Sequence, residues 1–202
     1  MKKMMLLAVL FAGFATLGNA QESRQDVSVS GVGLFGPTVH GGAGNTANTL
    51  AAAGFLAEYR YMLTPRSGLQ ANYVYLQNSM KFHIPATQLE NNYVHVRDEE
   101  ASFAYVYTRN YHNFNPFVNL GVGAMIFTPI RDYETTTLDT KQTTAIGLVA
   151  GGGVAYEISP SFDVRVEYQG FLAKTPSFGN DQYKTNRYQW LSLPAVGIAY
   201  HF

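Results

Sequence analysis

From Phe55 onward the chain alternates apolar and polar positions in runs of about ten residues, the length a tilted strand needs to cross a bilayer. Phe55, Ala57, Tyr59, Tyr61 and Leu63 share one face, and Glu58 and Arg60 the other. Leu69, Ala71, Tyr73 and Tyr75 alternate with Gln70 and Asn72, and Phe103, Tyr105 and Tyr107 with Ser102, Ala104 and Thr108. Val118, Leu120, Val122, Ala124 and Ile126 alternate with Asn119, Gly121 and Gly123. Ile146, Leu148, Ala150, Val154, Tyr156 and Ile158 alternate with glycines, Ala155 and Glu157. Phe162, Val164, Val166 and Tyr168 alternate with Asp163, Arg165, Glu167 and Gln169; Val196, Ile198, Tyr200 and Phe202 with Ala195, Gly197, Ala199 and His201. A period of two predicts strands. Val27 to Phe35 supplies an eighth, glycine-rich segment whose facing is open.

Alternation also suits a soluble sandwich, but the connections point elsewhere. Thr64-Pro65-Arg66-Ser67, Asn110 to Asn115 and Ser159-Pro160-Ser161 are short and have turn chemistry. Gly36–Thr49, Met80–Val96, Thr128–Thr143 and Lys174–Gln189 are long. Strict alternation of long and short predicts an all-β, eight-stranded antiparallel up-and-down transmembrane barrel with both termini in the periplasm and long loops outside. That orientation places Tyr61, Tyr107, Tyr156 and Phe162 in a periplasmic aromatic girdle, joined by Tyr200 and Phe202, with Tyr75 and Phe127 near the outer rim.

The N-terminus predicts export. Lys2 and Lys3 precede the apolar run Met4 to Leu17, and Gly18-Asn19-Ala20 offers small residues at a cleavage site. Residues 1–20 are expected to be a cleaved signal peptide and residues 21–202 the barrel, starting at Gln21. Charged residues are 14% of the chain, against about 25% in soluble domains. Basic and acidic residues balance at 14 each, which gives no footprint for nucleic acid. The absence of cysteine excludes thiolate sites and cysteine nucleophiles.

The C-terminal run Gly197-Ile198-Ala199-Tyr200-His201-Phe202 resembles the signal by which outer-membrane assembly machinery recognises a final strand, although Ala195-Val196 stands where a polar residue is usual. Ile158 to Tyr168 resembles a turn and strand of small OmpA/OmpX-type barrels. The resemblance implies a fold, a place in the bacterial outer membrane, and contact with its lipid and lipopolysaccharide and with the assembly machinery. It assigns Gly197, Tyr200 and Phe202 to the assembly signal. No peptidoglycan-binding domain of the kind some relatives carry is expected after Phe202. A monomer is expected, with an extracellular ligand at the outer loops as a further partner.

An eight-stranded barrel has room for side chains or one small ligand. Glu58, Arg60, Glu157, Asp163, Arg165 and Glu167 all fall on the non-lipid face. Buried charges must pair, so Arg60 and Arg165 are expected to bridge these carboxylates. Gly121, Gly123, Gly147, Gly151 and Gly153 would make room on the opposite wall.

Other motifs do not assemble a reactive site. Gly31-Val32-Gly33-Leu34-Phe35-Gly36 matches a dinucleotide fingerprint, but Pro37 to Gly42 opens no helix. Gly41 to Gly44 lacks a following lysine and predicts an outer loop. His95 to Glu100 has carboxylates that suit a divalent cation, but a solvated loop edge entering a strand is the favoured reading. No histidine is followed two residues later by serine, although His95 and Ser79 could pair in space. No cofactor, metal or catalytic residue is assigned. The outer segments carry Phe82, Tyr93, Tyr133, Phe178, Tyr183, Tyr188 and Trp190, taken as rim anchors. The leading expectation is a structural or surface-interaction barrel with a charge-filled lumen. The alternatives are a narrow pore or uptake channel, then a lipid-modifying enzyme.

Overall fold

A computed structural model of the chain describes residues 24–41, 44–83, 92–130, 141–179 and 184–202. The proposed signal segment lies outside the described residues. The strands are β1 (Gln25–Leu34), β2 (Thr38–His40), β3 (Thr46–Thr49), β4 (Ala52–Thr64), β5 (Ser67–His83), β6 (Asn92–Thr108), β7 (Phe114–Pro129), β8 (Thr143–Ser159), β9 (Phe162–Lys174) and β10 (Tyr188–His201).

Eight of them, β1 and β4 to β10, close into an antiparallel barrel. The seam joins first strand to last: Val29 pairs with Ile198 on one side and with Ala57 on the other. Three tight turns and both described chain ends share one rim, called the turn end below; the opposite rim is the loop end. In the first turn Pro65 presets the backbone, and Thr64 Oγ1 accepts the Ser67 amide at 3.0 Å.

Each strand is inside-out relative to a soluble protein. Outward Ile146 is 80% exposed, whereas inward Arg165 is 1% exposed. A wall of exposed Val29, Tyr59, Leu120, Leu148 and Ile198 around buried charge is stable only when the surroundings are lipid. The glycine-rich first strand is settled the same way: Asp26, Ser28, Ser30, Val32 and Leu34 are buried and Val29 is exposed.

Two expectations about loops need correction. Gly36–Thr49 contains the hairpin β2–β3, which pairs with the loop end of β5 through Thr49↔Met80 to Thr46↔His83. Gly41 and Gly44 flank its tip, with 42–43 outside the described residues. The connection expected from Met80 to Val96 is largely strand, because inward Met80, Phe82, Val94 and Val96 keep alternating beyond the bilayer-spanning length.

Candidate functional site

The lumen has two storeys. The one toward the turn end is polar and centres on Arg165, which β9 aims across the barrel. Its Nη2 donates to Asp26 Oδ1 at 3.0 Å, and its Nη1 to Glu58 Oε2 and Ser28 Oγ, each at 3.2 Å. Ser28 Oγ donates to the same Glu58 oxygen at 2.7 Å. Gln70 Nε2 donates to Glu58 Oε1 and, at 2.8 Å, to Asn72 Oδ1. Asn72 Nδ2 continues to Ser102 Oγ and Gln169 Oε1, and Gln169 Nε2 donates to Glu100 Oε1 at 2.7 Å. One network thus ties β1, β4, β5, β6 and β9 together. His201 Nε2 lies 2.7 Å from Asp163 Oδ2 nearby.

The six charges expected in the lumen divide. Arg165 and Glu58 form the central pair, and Asp163 meets His201. Arg60 bridges no carboxylate among the described residues. Its register partner Gln70 takes its Nε and Nη2 at 3.1 and 2.7 Å, and its guanidinium lies 4.4 Å from the Phe117 ring centroid. Glu58 is already engaged by Arg165 and Ser28, so Arg60 settles on a neutral amide and an aromatic face. Glu167 is buried with Oε1 unpartnered. Glu157 is half-buried near the turn end, and no ion pair among the described residues reaches it. Gln70, Asn72, Gln169 and His201, on the polar face by alternation, join the lumen contacts, and Asp26, Ser28 and Glu100 are members that the sequence reading leaves out. The signal for Asp26 and Ser28 was the alternation Asp26-Val27-Ser28-Val29. Below the network a vestibule of about 330 Å³ opens at the turn end, lined by Arg24, Asp26, Arg60, Asp163, Arg165 and His201 among others.

The storey toward the loop end is apolar. Leu34, Leu56, Leu76, Met80, Phe82, Val96, Met125, Phe127, Phe171 and Leu191 form one buried cluster. Phe178, held at φ 49°, closes it from the last outer segment, with its ring edge-on to Phe82 at 5.9 Å. Phe127, expected on the outer rim, and Phe82 and Phe178, expected as anchors, are therefore lumen plugs. Phe127 shares the parity of Asn119, so alternation already directed it inward. The glycine wall serves Phe171 as well as charge. A Cβ on Gly147 would lie 2.8 Å from its ring and one on Gly123 3.1 Å, while Gly153 backs onto Glu167. Asp98 and Asn78 are buried beside these apolar groups, and neither side chain has a hydrogen-bond partner among the described residues.

The segment His95 to Glu100 is split by alternation. Asp98 and Glu100 face the lumen, and Arg97 and Glu99 form an ion pair on the outer surface. Among the described residues no three metal-ligating side chains converge. Ser79 and His95 are directly opposed across β5 and β6. Gly31 to Phe35 lies along β1 and its following bridge, with no helix behind it.

Tyr61, Tyr107, Tyr156 and Phe162 are exposed at the turn end. Phe162 packs on Tyr200 at 5.1 Å, and Tyr200 stacks on Phe202 at 6.0 Å. At the loop end Tyr93, Tyr188 and Trp190 are exposed; Tyr133 and Tyr183 lie outside the described residues. Gly197 sits where the seam is tightest. A Cβ there would fall 2.2 Å from the Val29 carbonyl oxygen and from Ser30 Oγ. Gly31, on the same seam, would meet nothing nearer than 3.9 Å. Gly197→Ala is therefore expected to cost about 1–3 kcal/mol by overpacking and Gly31→Ala no more than about 0.5 kcal/mol. Urea titration of the folded fraction on a heat-modifiability gel measures both, and equal losses would refute the close contact.

The family model for the outer membrane protein beta-barrel domain matches residues 4–202. A search of curated protein sequences finds no match. Among solved structures, OprG of Pseudomonas aeruginosa superposes with a TM-score of 0.63 at 12% identity, covering 90% of this chain and 97% of its own. Neisserial surface protein A gives 0.60 at 12% identity, covering 89% and 98%. Ail, the attachment invasion locus protein of Yersinia pestis, in complex with the heparin analogue sucrose octasulfate, gives 0.54 at 14% identity, covering 90% and 100%. At these identities the structures speak for the fold alone. With that fold and a family model spanning nearly its whole length, the chain belongs to the outer membrane protein beta-barrel domain family and is an eight-stranded barrel of the bacterial outer membrane.

Proposed function

We propose that the protein is a closed barrel with a structural and surface-interaction role, and that it conducts nothing through its lumen. The observation that carries this reading is the stacking of two different seals. A solute entering from the periplasmic turn end meets the Arg165–Asp26–Glu58 network, whose guanidinium is 1% exposed. A solute entering from outside meets Phe178, Phe82 and Phe171, each essentially inaccessible. An ion would have to break the Arg165 ion pairs and then cross an apolar layer, and both steps are costly. The material outside the lumen is left for contact: the extended ends of β5 and β6, the β2–β3 hairpin and the exposed Tyr93, Tyr188 and Trp190.

Planar bilayer recording tests the reading. The parent protein is expected to give no stable conductance steps. Phe171→Gly combined with Phe178→Gly, which thins the outer seal, should raise brief openings above the parent. Stable unitary steps in the parent would overturn the closed-barrel reading and favour a pore.

A further inference from the structure

The interior holds more acid than its arginines balance. Among the described residues six acidic side chains are buried, Asp26, Glu58, Asp98, Glu100, Asp163 and Glu167, against two guanidiniums, Arg60 and Arg165. Arg165 meets Asp26 and Glu58, and His201 meets Asp163. Asp98 and Glu100 meet no cation among the described residues. They stand two positions apart on the inward face of β6, 2% and 1% exposed. Gln169 donates to Glu100 Oε1, but Glu100 Oε2 and both oxygens of Asp98 are buried without a hydrogen-bond partner.

The neighbours of this pair are mostly hydrocarbon. In the register of β5, β6 and β7, Asp98 lies between Leu76 and Phe127, and Glu100 between Val74 and Met125, all four buried. The exception is Asn78. Its register partner is Val96, so it sits diagonally across from Asp98 on the same inward face. Its Oδ1 and Nδ2 are unpartnered as well. The wall is interrupted beside it, because β3 leaves β5 at Thr49↔Met80 and β4 joins β5 at Gly54↔Leu76. Between those points the Leu50 amide donates to the Ser79 carbonyl at 3.0 Å. A notch of about 400 Å³ lies at the interruption, with Asn78 in its lining beside Gln77, Ser79 and His95. A small ion thus has a polar approach that ends at Asn78, one diagonal step from Asp98.

Carboxylates isolated among apolar side chains are costly unless a counter-charge joins them. We infer that Asp98, Glu100 and Asn78 bind a hard divalent cation of the calcium type. Carboxylate and amide oxygens are the donors that calcium takes, and its adaptable coordination tolerates ligands placed by a sheet register. Two carboxylates cancel the charge of the ion, so the filled site brings no net charge into the apolar storey. Magnesium fits less well, because it demands octahedral geometry and gives up its waters reluctantly. No third acidic or imidazole side chain joins the two carboxyl groups among the described residues. The third protein oxygen is the amide oxygen of Asn78. The inference rests on the burial of these groups and stands whether or not the lumen conducts.

The test is equilibrium dialysis of calcium against the chelator-treated, folded barrel in detergent free of lipopolysaccharide. The parent should bind a single calcium ion. Calcium should also raise its urea midpoint, since a ligand that binds only the folded state stabilises it. Magnesium at the same concentration should bind more weakly. Asp98→Asn and Glu100→Gln should each weaken calcium binding roughly tenfold or more, because affinity follows the charge of the ligands. In calcium-free buffer Asp98→Asn should be at least as stable as the parent, since it removes an isolated buried charge. Glu99→Gln, on the outer face, should bind calcium like the parent. Heat-modifiable migration checks that each variant is folded, and if Asp98→Asn does not fold, Glu100→Gln carries the comparison. Absence of calcium binding by the parent would overturn the site and leave protons to neutralise both carboxyl groups. Undiminished binding by the carboxyl variants would overturn it too. Equal binding of magnesium would overturn the calcium-type assignment.

Discussion

Arg165→Met is expected to destabilise the folded barrel by about 3–5 kcal/mol, the cost of leaving buried partners unpaired. The side chain is 1% exposed and satisfies Asp26 and Glu58 together, so its loss strands two carboxylates at once. Asp26 lines the vestibule, which favours the lower end of the range. Arg66→Ala, which removes an exposed arginine from the first tight turn, should change stability by no more than about 0.5 kcal/mol. Urea titration in lipid vesicles compares the two. Adding Asp26→Asn and Glu58→Gln to Arg165→Met should restore most of the loss, because a neutral, similarly shaped set leaves no orphan charge. If Arg165→Met and Arg66→Ala proved equally stable, the network would not be the seal described here.

Phe171→Ala should cost a similar amount, about 3–5 kcal/mol, through lost burial and the void left behind. The ring is inaccessible and fills the hollow made by Gly123 and Gly147, which pair directly across β7 and β8. Backbone on that side cannot collapse far, since both glycines are fixed in sheet ladders, so relaxation is limited. Gly147→Ala alone should also destabilise, because its Cβ would fall 2.4 Å from the Leu172 carbonyl oxygen and 2.8 Å from the ring. Combined with Phe171→Leu, the same change should cost less than the two single effects summed, since the smaller side chain removes the ring contact and leaves only the backbone one. A loss below about 1 kcal/mol for Phe171→Ala would show that the outer storey is loosely filled.

Most of the barrel was legible because its signal is local. Alternation at Tyr59, Tyr105, Leu120 and Val166 depends only on neighbours in sequence, and the three tight turns announce themselves by Pro65, Asn113 and Pro160. The interior was less legible because it is made by partners far apart in the chain. Arg165 meets Asp26 across 139 positions and Glu58 across 107, and no spacing rule encodes that. The expected pairing of Arg60 with a carboxylate fails because its register partner, Gln70, is a neutral acceptor that charge complementarity does not point to. The apolar storey was hidden differently. Around Leu76, Met80 and Phe82 the alternation continues but inverts, with apolar residues inward and Gln77, Ser79 and Lys81 outward, so polarity no longer marks the lumen face. Phe178 lay beyond any periodic reading, since it comes from an irregular segment.

The vestibule and the apolar storey together give the interior a sidedness. The polar network opens to the vestibule at the turn end, while close-packed aromatic and aliphatic side chains fill the loop end. Protons, salt and denaturant exchange with Asp26, Asp163 and Arg165 through one rim only. With the turn end in the periplasm, as the proposed function has it, acidity or ionic strength outside the cell would act on this network only after it has changed the periplasm.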